Sequence, residues 1–204
     1  MKYNMKNIAI IPTVRTPYKN QIEHCFDVNI SRLFKKIFKK VNIINISEDN
    51  QINRKIDLMV ISGGNDIPDY SKKKHDIIRN QITKRYFEHS KRLRIPILGI
   101  CYGAQFVAKI YHSTFIKKRK VGKHLIFLNK NNFLNSRKQK FYNNSFKNIL
   151  IKSVPKNFNI IAKSSDNYIE AFYIEKIRFL GLQWHPERNK NLKKIDRDLL
   201  TTLL

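Results

Sequence analysis

Cysteine and glycine are both scarce in this 204-residue chain, which contains 2 cysteines and 6 glycines. Cys25 and Cys101 give neither a disulfide framework nor the ligand spacing of a metal site. No stretch approaches the ~20 apolar residues that a membrane helix requires, and the first residues lack the apolar core of a signal peptide. We therefore expect a cytoplasmic protein with reduced thiols, no metal, no organic cofactor and no membrane partner.

Acidic residues are also few, since 15 of them stand against 41 lysines and arginines, which gives a formal net charge of +26. Such a charge often indicates a nucleic-acid partner. Here the lysines form short, dispersed clusters, without an aromatic stacking platform or a groove-reading motif. Lysine, asparagine and isoleucine are abundant together, which a compositional bias of the source genome explains better than a selected binding face. We do not expect nucleic-acid binding, and attraction of an anionic substrate is the more favoured of the two binding roles.

The apolar pattern predicts an α/β fold with a mostly parallel central sheet, helices on both faces and an added antiparallel section. Buried strands are predicted over 6–11, 41–46, 56–62 and 95–100, and helices over 22–40, 71–92, 102–111 and 193–203. Shorter strands are predicted over 124–128, 147–152, 158–163, 168–174 and 178–183. The length fits a single domain over residues 1–204.

Five of the six glycines lie in or beside three short motifs. One motif mounts Cys101 between Gly99 and Gly103, at the end of a predicted strand and just before a predicted helix. A side chain on such a tight turn needs unusual backbone angles, which neighbouring glycines make possible. Because a helix start also favours the reactive thiolate, the pattern predicts that Cys101 is a nucleophile.

Two further strand ends carry polar residues, namely Ser-Gly-Gly-Asn-Asp at 62–66 and His-Pro-Glu at 185–187. Reactive groups in open α/β sheets gather where the carboxyl ends of the strands converge. Together with Cys101, these motifs supply backbone N–H groups for an oxyanion, an imidazole base and a carboxylate that orients the imidazole. The sequence therefore predicts acyl-transfer chemistry.

These motifs resemble the class I glutamine amidotransferase superfamily, particularly its γ-glutamyl hydrolase (peptidase C26) branch and the hydrolases of γ-glutamyl nucleotide amidates. The resemblance rests on Gly-Ile-Cys-Tyr-Gly-Ala-Gln at 99–105 and Gln-Trp-His-Pro-Glu at 183–187, and it extends to 62–66 and 164–171. It implies a flavodoxin-like three-layer sandwich and a γ-glutamyl thioester on the cysteine. The implied triad is Cys101, His185 and Glu187, with an oxyanion hole formed by N–H groups near Gly64 and Tyr102.

The same resemblance implies substrate contacts by Gln105, Asn65, Ser145 and Asp166, with Gln105 holding the glutamyl group. By their charge, Arg188 and the early loop with Arg15 and Tyr18 are candidates to bind an anionic leaving group such as a nucleotide phosphate, and the alternative is that both arginines are solvated surface charges. One residue departs from the family pattern. Relatives commonly carry a histidine after the Asn-Ser-aromatic segment, where this chain has Lys147, so the contact made at that position is open.

Three functions remain open. The first is a self-contained hydrolase of a small γ-glutamyl amide, and the second is a glutaminase subunit that delivers ammonia to a separate synthase partner. The third is a non-catalytic basic binding module. Among the other reactive side chains, we expect Cys25 to pack on the helix predicted over 22–40, and His124 is the one additional histidine that merits a test.

Overall fold

The computed structural model describes residues 5–47, 55–129, 133–134 and 139–204. The main feature of this part of the chain is a mixed sheet of nine strands. In chain order, the helices and strands are β1 (Lys6–Ile11), β2 (Thr13–Arg15), β3 (Glu23–Cys25), α1 (Val28–Ile37), β4 (Val41–Asn45), β5 (Leu58–Ile61), α2 (Lys74–Arg92), β6 (Ile97–Ile100), α3 (Tyr102–Ile110), β7 (Thr114–Leu128), β8 (Gln139–Ser153), β9 (Asn159–Ser164), β10 (Ile169–Ile174), β11 (Phe179–Leu182) and α4 (Lys194–Leu203).

The sheet has a parallel half and an antiparallel half. Strands β4, β1, β5, β6 and β11 are neighbours in that order, and all four pairings between them are parallel. Strands β10, β8, β7 and β9 continue the sheet through antiparallel pairings. The predicted α/β class is confirmed, but the sheet is mixed rather than mostly parallel because the antiparallel section supplies four of the nine strands.

Helices cover both faces of the parallel half. Along β1, Ile8 and Ile10 join the core that contains residues of α1 and α4, whereas Ala9 and Ile11 join the core beneath α2 and α3. This alternation follows from the two-residue period of a strand, so burial on both faces produces an unbroken apolar run. Burying a side chain such as Phe34 contributes roughly 2 kcal/mol. No helix in the described ranges is long and apolar enough to cross a membrane.

Helix α1 is shorter than the helix predicted over 22–40. It begins at Val28 because Asp27 caps it, the Asp27 carboxylate accepting a hydrogen bond from the Asn29 N–H at 2.9 Å. The residues before the cap form β3, which pairs with β2. Cys25 therefore lies on a strand, so its predicted place on the helix was wrong, while its role as an inert packing residue stays a prediction.

Strands β7 and β8 are much longer than the segments 124–128 and 147–152 that the sequence predicted. Each has 15 residues, and they pair from Thr114 opposite Ser153 to Leu128 opposite Gln139. The first half of β7 is largely exposed on both sides. A strand with two polar faces has no apolar alternation, which is why the pattern revealed only its buried end.

The parallel half sets the location of the polar motifs. Strands β5, β6 and β11 are adjacent, and their carboxyl ends lead into Ser62, Cys101 and Gln183. Because parallel strands end at the same edge of a sheet, the three motifs meet there.

Candidate active site

Cys101 occupies a strained turn between β6 and α3. Its backbone angles are φ 49° and ψ −96°, outside the regions that a residue with a Cβ prefers, and its side chain is largely buried. The Cys101 N–H donates to the Leu182 carbonyl at 2.7 Å, and its own carbonyl accepts the first helical hydrogen bond, from Gln105, at 3.0 Å. The N–H groups of the first turn, including that of Tyr102, thus have no acceptor within the helix.

The helix after Cys101 packs very closely on β5. A Cβ atom at Gly103 would lie 2.4 Å from the Ile61 carbonyl oxygen, so only glycine allows this approach. The close packing fixes the start of α3 and, with it, the cysteine at its N-cap. This close approach to β5 explains why the sequence motif has glycine at position 103.

His185 and Glu187 form a buried pair beside Cys101. The His185 Nδ1 atom lies 2.6 Å from the Glu187 Oε1 atom, and each side chain is 2% exposed. Burial lowers the pKa of His185, but the charge of Cys101 and hydrogen bonds with Cys101 and Glu187 raise it, to about 9. The predicted residues Cys101, His185 and Glu187 are thus brought together, with the imidazole between the sulfur and the carboxylate.

Asn144, on β8, holds the backbone of His185. Its Oδ1 atom accepts from the His185 N–H at 2.9 Å, and its Nδ2 atom donates to the His185 carbonyl at 2.8 Å. The Phe146 ring meets the His185 ring edge to face, at 5.9 Å between centroids. Both residues belong to the Asn-Ser-aromatic segment noted in the sequence, but the sequence did not predict that either contacts His185.

The Gly63–Gly64 turn lies directly against the same groups. A Cβ atom built on Gly63 would lie 2.6 Å from His185 Cε1 and 3.5 Å from Cys101 Cβ. Gly64 has a φ of +129°, and a Cβ there would meet a Thr13 methyl carbon at 2.0 Å. Gly63 therefore lets the backbone after β5 approach the cysteine and histidine closely, and Gly64 lets the same turn pack against Thr13.

Two of the predicted substrate-binding residues, Gln105 and Ser145, are buried. Gln105 is buried on α3, and its Nε2 atom donates to the Ile149 carbonyl at 2.9 Å. Ser145 is fully buried next to Asn144, and its hydroxyl has no hydrogen-bond partner among the described residues. Their contacts with substrate remain predictions.

Asn65 and Asp166 have other contacts. The Asn65 amide bonds both the N–H and the carbonyl of Val14 and also donates to an Asp76 oxygen at 2.9 Å, so it ties β2 to α2. Asp166 pairs with Lys120 at 2.6 Å, in the turn between β9 and β10. None of these contacts is with Cys101, His185 or Glu187, and a substrate role for either residue stays a prediction.

Lys147 belongs to a buried ionic cluster. Its Nζ atom lies 2.6 Å from Glu170 Oε2, and His124 Nε2 lies 3.0 Å from Glu170 Oε1. Burial raises the pKa of Glu170, but the charges and hydrogen bonds of Lys147 and His124 outweigh burial and lower it. The residue that departs from the family pattern thus neutralises a buried carboxylate.

A cavity of about 260 Å³ opens beside the Gly63–Gly64 turn, and Arg15 and Arg188 both line it. Arg188 is held at the rim, since its guanidinium lies 4.9 Å from the Phe146 ring centroid and its Nε atom 3.7 Å from Glu187 Oε1. Within the described ranges, no group of three or more His, Cys, Asp or Glu side chains could hold a metal ion.

The chain belongs to the class I glutamine amidotransferase family, whose sequence model matches residues 21–197. It is accordingly an amidohydrolase of the type that acts on a glutamyl amide, and the family expected from the motifs is confirmed. The chain is 31% identical to the γ-glutamyl-CDP-amidate hydrolase of Campylobacter jejuni over 180 residues, which cover 84% of each protein.

Other similar proteins carry synthase names. A glutamine-hydrolysing GMP synthase subunit of Pyrococcus furiosus is 28% identical over 109 residues, covering 51% of this chain and 57% of that protein. Among solved structures, one described as a GMP synthase subunit of Thermoplasma acidophilum aligns with a TM-score of 0.73 at 20% identity, covering 98% of this chain and 92% of that one. At that identity the likeness supports the fold alone.

Proposed function

We propose that the protein hydrolyses a γ-glutamyl amide through a γ-glutamyl thioester on Cys101. The thiolate attacks the γ-carbonyl carbon, and the C–S bond forms as the carbonyl π electrons move to oxygen. The intermediate collapses, the C–N bond breaks, and protonated His185 gives its proton to the departing nitrogen. Water then attacks the thioester while His185 takes the proton of that water, and the C–S bond breaks to release glutamate.

The observation that carries this proposal is that His185 forms hydrogen bonds with both Cys101 and Glu187. A histidine whose pKa is raised to about 9 is protonated at neutral pH, which is the state that a proton donor to the leaving nitrogen requires. The buried Glu187 carboxylate stabilises that imidazolium and fixes its orientation.

The negative oxygen of the intermediate is received by N–H groups near Gly64 and at Tyr102. Support comes from the Gly63–Gly64 turn, which lies against Cys101 and His185, and from the first-turn N–H groups of α3, which need acceptors. Preorganised donors of this kind provide a large share of the rate in acyl transfer.

The test is glutamate release from γ-glutamyl methylamide, glutamine and a γ-glutamyl nucleotide amidate. Cys101→Ser and His185→Ala are each expected to lose at least ~1,000-fold in kcat. His89→Ala, at a partly exposed position of α2 outside the candidate site, serves as the matched histidine control and is expected to keep the wild-type rate. Retained hydrolysis in Cys101→Ser would refute the thioester route.

We further propose that the leaving group is anionic and lies in the cavity that contains Arg15 and Arg188. Gly63 and Gly64 line this cavity, and Gly63 lies against Cys101 and His185, so a leaving group directed toward the turn would enter it. A second cleft of about 340 Å³ shares Glu187 and Arg188 with it and adds Arg32, Lys36 and Lys190. Guanidinium groups suit phosphate oxygens, and the Campylobacter jejuni relative is named for a CDP-amidate.

Kinetics with two substrates test the leaving-group class. Arg15→Ala and Arg188→Ala are expected to raise KM for the γ-glutamyl nucleotide amidate about tenfold and to leave KM for γ-glutamyl methylamide unchanged. Arg197→Ala, an exposed arginine on α4, is the control for removing one positive charge. Equal effects on both substrates would contradict an anionic leaving group.

A second candidate function is a glutaminase subunit that passes ammonia to a synthase, which the relatives named as GMP synthase subunits favour. In that case the isolated chain would hydrolyse glutamine slowly, and addition of a partner synthase would accelerate it. Rapid hydrolysis of a γ-glutamyl amide by the isolated chain favours the self-contained hydrolase.

A further inference from the structure

Arg79 is a charged side chain in the middle of the buried face of α2. The helix turns its inward residues toward the sheet at three- and four-residue spacing, and they include Ile82, Thr83 and Tyr86. Arg79 lies in this row and is 0% exposed. A fully buried arginine is unusual unless its charge is paired.

The Arg79 guanidinium contacts the supports of both groups assigned to the oxyanion hole. Its Nη2 atom donates to the Ser62 carbonyl at 3.1 Å and to the Ser62 hydroxyl at 3.2 Å. Ser62 is the residue from which the Gly63–Gly64 turn departs. The guanidinium carbon also lies 5.0 Å from the centroid of the Tyr102 ring, at the first residue of α3.

Within the described part of the chain, no carboxylate balances this charge. None of the acidic side chains described there lies within ion-pair distance of Arg79, and its Nε and Nη1 atoms are buried without a hydrogen-bond acceptor. The neighbouring carboxylate of Asp76 is bound instead by Asn65, by the Asp66 N–H and by Ser71. Burial lowers the pKa of Arg79 to about 10, so the group remains a cation at neutral pH.

An uncompensated buried cation destabilises a folded protein, and an apolar residue of similar size is often at least as stable in such a site. Packing alone therefore does not account for arginine here. Its donors and its ring contact join the end of β5 to the start of α3, the two segments whose N–H groups must converge on one oxygen atom.

We propose that Arg79 is a positioning residue for the oxyanion hole. It holds the Ser62 carbonyl and the Tyr102 ring in fixed positions relative to each other, and it adds positive charge near the developing oxyanion. This inference rests on the proposed function, since it requires a tetrahedral intermediate on Cys101. Arg79 acts through Ser62 and Tyr102 and does not itself touch the substrate.

The experiment compares Arg79→Met with Arg85→Met, an exposed arginine on the same helix. Arg79→Met is expected to lower kcat at least tenfold, toward the ~100-fold loss that follows removal of one oxyanion donor, with KM changed less than twofold. Its thermal unfolding midpoint should equal or exceed that of the wild type. Arg85→Met removes a guanidinium that lies over the Tyr86 ring, and it should match the wild type in kcat. A wild-type kcat in Arg79→Met would overturn the proposal, and so would a loss of kcat explained by a lower midpoint.

Two further measurements distinguish positioning of the oxyanion hole from a general loss of stability. Arg79→Lys keeps the cation and one donor, and we expect it to recover at least part of the lost kcat. The γ-aldehyde of glutamate accepts the Cys101 sulfur at its carbonyl carbon and moves the π electrons to oxygen, so its affinity reports on the oxyanion hole. That affinity should fall in parallel with kcat in both variants, while the affinity for glutamate stays unchanged. Equal losses for aldehyde and glutamate would overturn the proposal.

Failure of this inference can be distinguished from failure of the proposed function. If the wild type hydrolyses γ-glutamyl methylamide and Arg79→Met hydrolyses it equally well, only the role of Arg79 is refuted. If the wild type neither hydrolyses the amide nor binds the aldehyde on Cys101, the proposed function is refuted together with this inference.

Discussion

The His185 Nδ1 atom and the Glu187 Oε1 atom lie 2.6 Å apart, and both side chains are almost completely buried. The short Pro186–Arg188 turn that begins after His185 brings the carboxylate back onto the ring of the histidine two positions earlier. The hydrogen bond fixes one edge of the imidazole, so that its other nitrogen is available to Cys101.

The rate of acylation should depend on pH through His185. Its pKa is raised to about 9, so the imidazolium that donates to the leaving nitrogen persists below that pH and is lost above it. We expect the acylation burst to decline as the pH rises through about 9. Glu187→Gln removes a charge that raises this pKa and should move the midpoint to lower pH, whereas Glu88→Gln, on the surface of α2, should not. An unchanged midpoint in Glu187→Gln would contradict the assignment.

Asn144 should matter for catalysis because it holds the backbone of the histidine from both sides. Asn144→Ala is expected to lower kcat about 10- to 100-fold, since small displacements of a catalytic group have effects of that size. Asn148→Ala, at an exposed position of the same strand, provides the comparison. Steady-state kinetics on γ-glutamyl methylamide give kcat for both variants, and equal kcat values would refute a role of Asn144 in positioning His185.

Gly63 should tolerate no side chain. Its Cβ would lie 2.6 Å from His185 Cε1, so Gly63→Ala must displace the imidazole, and we expect at least a ~100-fold loss of kcat. Gly122→Ala offers the opposite case. Its φ of +96° predicts about 1 kcal/mol of lost stability, but nothing lies within 4 Å of the new atom. An active Gly63→Ala variant would show that the turn does not approach the histidine.

The Lys147–Glu170 pair should be strongly coupled in folding. Lys147→Met leaves a buried carboxylate with only His124 beside it, which should lower the free energy of unfolding by about 3 kcal/mol. The double variant with Glu170→Met removes both charges and should recover most of that loss. Urea unfolding of the two single variants and the double variant measures the coupling. Additive losses would mean that the two charges do not depend on each other.

Much of the site could be predicted from the sequence because each motif follows a short strand. Cys101 and His185 each follow an apolar run, and the rule that parallel strands end at one edge brought them together. The glycines beside Cys101 and at 63–64 were informative for the same local reason. Their conformations depend mainly on nearby backbone.

The contacts of Asn144, Lys147 and Arg79 could not be predicted in this way. The first two depend on the register of two long strands, and β7 has too little apolar alternation to reveal that register. Arg79 is one arginine among many basic residues in a helix, and nothing in the local sequence indicates that it is buried without a carboxylate. Long-range packing determines these contacts.

The most direct test is to identify the covalent intermediate. Rapid acid quench during hydrolysis of γ-glutamyl methylamide, followed by intact-mass and peptide analysis, should show one γ-glutamyl group on the peptide that contains Cys101 and none on the peptide that contains Cys25. Hydroxylamine should remove it, as expected of a thioester. Steady hydrolysis without any glutamyl group on Cys101, in a quench fast enough to precede deacylation, would contradict the account.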